Sequence, residues 1–181
     1  MIDSYVKAGK IVSKIRDDAL KMIKDGTLVI DLVEYVENEI IKNDAGIAFP
    51  CNVSINEIAA HYTSPYADET KINAGDMVKL DLGAHIDGFI ADSAITIIAD
   101  GKNLDEKIDS DRLNRNEEIV EASAAALDAA IGTVKAGVEI GKIGEAVHEA
   151  ISKYKLNPIS NLSGHSLEQH NLHAGISIPN I

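Results

Sequence analysis

The chain has 181 residues, the size of one domain or of one domain and part of a second. Apolar residues make up 45% and charged residues 25%, which excludes a disordered, collagen-like or low-complexity polypeptide. Twenty-nine acidic residues outnumber 17 lysines and arginines for a formal charge of -12, so a protein that grips duplex nucleic acid or an anionic membrane is not expected.

The elements follow from the spacing of apolar residues. Ala8, Val12, Ile15, Ala19 and Met22 recur at intervals of three and four and stop at Asp25-Gly26, which predicts an amphipathic helix. Val29, Val33, Val36 and Ile40 predict a second helix that ends before Asp44 to Gly46. Beyond Phe49-Pro50 the period changes toward alternation, and Cys51 to Ile55 is expected to form a short strand with proline at its start. From Met77 to Ala99 two β-branched runs flank Asp87-Gly88, a dipeptide suited to a two-residue hairpin turn. Asp100 to Glu118 is dense in charge and predicts a long exposed connection. Two further helices follow, one on Ile119, Ala126, Leu127, Ala130, Ile131 and Val134 up to Gly137, the other on Ile143, Val147, Ile151 and Tyr154 up to Pro158. Asn161 to Ile181 is expected to be strand and loop, ending in an uncovered apolar edge that suggests a cut chain.

No stretch is long and uncharged enough for a membrane span, and Asp3, Lys7 and Lys10 stand where a secretion signal would place an apolar block. A cytoplasmic location is therefore expected. Cys51, alone in the chain, can make no internal disulfide and is expected to be a buried, small apolar residue.

Hairpin register selects the residues able to carry chemistry. With Asp87-Gly88 as the turn, Asp81 lies opposite Ala94 and Gly83 opposite Asp92, so the two aspartates are diagonal neighbours on one face, about 7 Å apart. Val78, Leu80, Leu82, Ile95 and Ile97 fall on the other, core-facing side, and the small Gly83 and Ala94 leave space before the acids. Like charges this close call for a shared proton or a cation; the alternative is a solvated pair on an exposed sheet face. Asp87 serves the turn.

Six histidines offer imidazoles. His148 is expected to pack at a helix boundary, and His85, near the hairpin tip, to lie behind the acids. His61 sits in an uncharged loop, where function and simple hydrogen bonding compete, while His165, His170 and His173 cluster behind Gly164. The chain contains no His-Glu-x-x-His, Gly-x-Ser-x-Gly or Walker loop. What remains is carboxylate and imidazole on a metal, with manganese, iron(II), cobalt and zinc all compatible and calcium less so. A pair of ions lowers the pKa of water and clamps a carbonyl, the requirement for peptide hydrolysis at neutral pH.

Phe49-Pro50-Cys51-Asn52-Val53-Ser54-Ile55-Asn56-Glu57, Ala60-His61-Tyr62-Thr63, Leu80-Asp81-Leu82-Gly83, Asp87 to Asp92, Asn161-Leu162-Ser163-Gly164-His165-Ser166 and His173-Ala174-Gly175 together resemble the type II methionine aminopeptidases of the archaeal kind. The resemblance spans almost the whole chain. It implies an α+β pita-bread fold, an antiparallel sheet with helices packed outside, in which two pseudo-symmetric halves enclose two divalent ions. Asp81 would bind one ion, Asp92 bridge both and His165 bind the other; His61 and His173 would contact substrate around the scissile amide, and Phe49 would wall the methionine pocket. The implied reaction is removal of the amino-terminal methionine from nascent polypeptides by a monomer.

Two further glutamate ligands that the family supplies beyond the His-Ala-Gly segment have no match here, nor does the helical insertion of type II enzymes. Residues 1–181 are thus expected to be a pita-bread domain truncated before its last strands, with three of five ligands and little activity alone. Another pita-bread hydrolase, such as a proline-specific aminopeptidase, and a non-catalytic pita-bread binding module are the competing expectations.

Overall fold

A computed structural model describes residues 1–101 and 109–181. The chain divides into two compact units, one of Met1–Ser110 with Glu168–Leu172, the other of Asp111–Leu167 with His173–Ile181.

In the first unit the opening periodicity becomes helix α1 (Ile2–Ala19), which buries Ala8, Val12, Ile15 and Ala19 and closes through a 3-10 turn at Leu20–Met22. Gly26, at φ 87°, takes the left-handed conformation that lets the chain reverse. Helix α2 (Val29–Lys42) follows and buries Val29, Leu32, Val33, Val36 and Ile40. Three antiparallel strands, β1 (Gly46–Ile55), β2 (Met77–Ile86) and β3 (Phe89–Ile98), form a sheet in the order β1-β2-β3. Helix α1 lies along β2 and β3, and α2 along β1. Between them Val53, Val78, Leu80, Leu82 and Ala84 join the helical stripes in one core. Leu80 and Leu82 are both 0% exposed, and their burial stabilises the sheet by roughly 1.5–3 kcal/mol each.

The hairpin has the expected register without a break, from Met77 opposite Ile98 to Ile86 opposite Phe89. Asp87 and Gly88 lie at φ 53° and 83°, the double left-handed geometry of a type I′ turn, whose twist matches that of the strands it joins. Strand β1 is longer than its alternation predicts, because it starts before Phe49-Pro50 at Gly46. Its register against β2 shifts between Ile47 and Phe49 and again between Phe49 and Asn52. These bulges accommodate Pro50, which has no N–H for the ladder, on an edge strand. Cys51 is buried there as expected, its N–H donating to Glu37 Oε1 at 3.0 Å.

The second unit contains helices α3 (Ser110–Thr133) and α4 (Ile140–Ser152) and a pair of two-residue strands, β4 (Gly164–His165) and β5 (Ser177–Ile178). The long connection expected from Asp100 to Glu118 is corrected by α3, whose helix begins at Ser110; residues 102–108 of that connection lie outside the described residues. Its first turns carry no apolar stripe to announce a helix, and mix good helix formers such as Leu113, Arg115 and Glu118 with the poorer Asn114 and Asn116; Arg115 pairs with Glu118 at 3.0 Å. Further along, Ala122 and Ala126 are buried, whereas Leu127 and Ile131 are exposed and line an apolar hollow of 740 Å³ with Val147 and Pro179. In α4, Ile143, Val147 and Ala150 face inward. His148, one residue beyond Val147, is exposed instead of packing at a boundary, because a helical step of about 100° carries it off the stripe.

Candidate metal centre

Each acid is placed by the pleat of the hairpin. Side chains alternate across a strand, so once Leu80 and Leu82 are drawn into the core, Asp81 is held on the opposite face; pairing Gly83 with Asp92 puts the second carboxylate on that face, diagonal to the first. Asp81 is half-buried and Asp92 exposed. Neither is removed from reach of an incoming ion.

The space expected in front of them at Gly83 is filled, while Ala94 is exposed. Phe49 pairs with Gly83, and a Cβ added to Gly83 would collide with the Phe49 ring. Glycine admits the phenyl group onto the acid-bearing face. Beside it Asn52 pairs with Asp81 and its Nδ2 donates to Asp81 Oδ2 at 3.4 Å. Asn52 belongs to the strand motif but has no role assigned by its pattern; the signal that could have found it is pairing across β1 and β2, which the two bulges conceal. Lys79, the next residue of β2 on this face, turns its ammonium to the carbonyl of Asn56 at 2.9 Å, and burial pushes its pKa down.

His61 is exposed, in the loop between β1 and β2, and takes a left-handed backbone at φ 63°. The next residue is fastened to β1: Val53 N–H donates to the Tyr62 carbonyl at 2.8 Å, and Tyr62 N–H to Ser54 Oγ at 3.3 Å.

The three clustered histidines part company. His165 and His173 belong to the second unit, where their ring centroids are 4.4 Å apart, with Ala174 N–H donating to the Ser166 carbonyl between them. His170 belongs to the first. Its N–H donates to the Gly88 carbonyl at 2.8 Å, its ring lies where a Gly88 side chain would be, and Gln169 Nε2 donates to the Asp87 carbonyl at 2.7 Å. His85 faces His170 with centroids 5.8 Å apart and accepts the Gly88 N–H on Nδ1 at 3.2 Å, so the His85 imidazole and the His170 backbone both hold the hairpin tip.

Within neither unit do three or more histidine, cysteine, aspartate or glutamate side chains among the described residues form a set able to hold an ion alone. The chemistry of the donors nevertheless fits a divalent cation: two carboxylates on one sheet face supply hard oxygens and the charge that such an ion compensates.

The family model for metallopeptidase family M24 matches residues 3–181. The chain belongs to that family. Among M24 relatives, the methionine aminopeptidase of Methanothermobacter thermautotrophicus is 52% identical over 181 residues, covering 100% of this chain and 57% of its own length. A methionine aminopeptidase of Methanothermus fervidus is 47% identical over 180 residues, covering 99% of this chain and 96% of its own. The crystal structure of the Thermotoga maritima methionine aminopeptidase superposes with a TM-score of 0.83 at 27% identity, covering 96% of this chain and 68% of that one. The mixed helix and antiparallel sheet is thus part of the pita-bread fold, as the motifs imply. The M24 chain described here spans little more than half the length of most of the curated relatives it matches. Membership of a metallopeptidase family carries divalent metal with it. No described helix is long and apolar enough to cross a membrane.

Proposed function

We propose that this protein removes the amino-terminal methionine from nascent polypeptides by metal-dependent hydrolysis. The single observation that carries the proposal is the diagonal placement of Asp81 and Asp92 on one face of the hairpin, supported by relatives named methionine aminopeptidase. Asp81, Asp92 and His165 would hold two divalent ions, cobalt, manganese, iron or zinc, with Asp81 on one, His165 on the other and Asp92 on both. Bound ions would supply an activated water and polarise the scissile carbonyl. His61 and His173 donate hydrogen bonds to the amide as charge develops on its oxygen, and Phe49 excludes water from the side of the methionine pocket. The protein acts in the cytoplasm as a monomer, on peptide termini and not on nucleic acid or membrane, and residues 1–181 belong to one pita-bread domain.

The test is Asp92→Ala in the full-length protein, assayed on a Met-Gly-x peptide with added metal and followed by metal analysis. Turnover should fall by more than about 100-fold and bound metal should decrease, since one of the two carboxylates that would hold the ions is gone. Unchanged turnover would refute the assignment. An x-Pro peptide cleaved in preference to Met-Gly-x would instead assign a proline-specific hydrolase. Taken alone, the 181 residues offer three of the five implied ligands and should bind metal weakly.

A further inference from the structure

The loop between β1 and β2 carries His61 and is built around a carboxylate that the mechanism does not use. Asp68 accepts three hydrogen bonds: from Tyr62 Oη at 3.1 Å and Ser64 Oγ at 2.7 Å, both on Oδ2, and from Thr70 N–H at 2.9 Å on Oδ1. Thr70 in turn accepts Val29 N–H at 2.9 Å on its carbonyl, which ties the network to the start of α2. Tyr62 is thereby fixed at three points, through its carbonyl to Val53, its N–H to Ser54 and its hydroxyl to Asp68. His61 is its neighbour in the chain.

The loop needs such fastening. His61 at φ 63° and Ala67 at φ 59° both occupy the left-handed region, which disfavours residues with a Cβ and persists only where surrounding contacts dictate it. Ala67 adjoins the carboxylate and His61 adjoins the tyrosine that the carboxylate holds. Donation from Thr70, chiefly through its hydroxyl and also through its N–H, and from Ser64 and Tyr62 keeps Asp68 ionised, its pKa depressed to about 2, so the hub stays an acceptor throughout the neutral range.

We propose that Asp68 is a positioning residue for His61, acting through the Tyr62 hydroxyl to hold the loop in the conformation that presents the imidazole to substrate. The proposal rests on the assignment of His61 to substrate contact. Asp68 touches no reacting atom in this scheme; it sets where the neighbouring imidazole stands.

The experiment is a double-mutant cycle in the full-length protein, metal-loaded and assayed on a Met-Gly-x peptide, with Asp68→Asn, His61→Ala and the pair. Asparagine keeps the shape of the side chain but replaces one acceptor oxygen with a donor, so the Tyr62 and Ser64 bonds and the Thr70 bond are not all kept. Asp68→Asn alone should lower kcat by about 10- to 100-fold with KM little changed, the loss expected when a positioned group is displaced by about 1 Å. In the His61→Ala background it should cause no further loss. Tyr62→Phe, which deletes one of the three bonds and keeps the packing, should give a smaller loss of the same kind and keep the fold if Asp68→Asn does not.

If His61→Ala is impaired but neither Asp68→Asn nor Tyr62→Phe is, the positioning role is overturned and the role of His61 stands. Losses that multiply in the double variant would equally overturn it, because they would show Asp68 acting independently of His61. An unimpaired His61→Ala would overturn both assignments.

Discussion

Gly83→Ala tests whether the acid-bearing face is shaped by a single missing side chain. Alanine suits a strand better than glycine and limits the unfolded chain, which alone would stabilise by about 0.4–1 kcal/mol. Against this, its Cβ would collide with the Phe49 ring, and overpacking of this kind costs about 1–3 kcal/mol. The net expectation is a destabilisation of about 0–2.6 kcal/mol, a fall in Tm of up to roughly 10 °C for a domain of this size. Phe49 supplies the control. With Phe49→Ala the obstruction is gone, so Gly83→Ala should become neutral or stabilising in that background. Thermal unfolding of the four proteins measures the coupling directly. An equal loss from Gly83→Ala with and without the phenyl ring would refute steric occupation of the glycine site as the cause.

Three further outcomes follow from named contacts. Asp68 has its pKa depressed on folding, so it contributes stability above its unfolded pKa of about 3.9, and that contribution disappears as pH falls through about 2. Wild type and Asp68→Asn should therefore differ in denaturant midpoint at pH 6 and converge toward pH 2; a constant difference would contradict the shift. Gly88→Ala should destabilise by at least about 1 kcal/mol, because alanine would sit at φ 83° and displace the His170 ring, and hydrogen exchange should show earlier opening at the hairpin turn. Faster exchange confined to other elements would count against it. Burial pushes the Cys51 thiol far above its ordinary pKa, so iodoacetamide should label it only as fast as the first unit opens, and labelling in the native state at the rate of a free thiol would disprove that burial.

Legibility in the sequence depended on how local the governing contacts were. The stripes of α1 and α2 and the facing of Leu80 and Leu82 against Asp81 are periodicities of 3.6 and 2 that need no knowledge of neighbouring elements. The Asp87-Gly88 turn is equally local, and because a hairpin's register follows from its turn, the diagonal pairing of Asp81 and Asp92 is readable from the sequence alone. Ser110 to Glu118 was not, since a charged helix start shows no apolar stripe and looks like loop.

What only the tertiary structure decided comes from residues far apart in the chain. The two register shifts in β1 set Phe49 over Gly83 and Asn52 beside Asp81, and although Pro50 invites a bulge, which residues of β2 then stand opposite depends on pairing with a strand more than twenty residues away. The attachment of His170 to the hairpin tip has the same origin, because its place is fixed by backbone groups of a turn more than eighty residues earlier. Residue types and local periods are therefore enough to nominate the two carboxylates. The company they keep is set by packing between strands that the chain brings together only on folding.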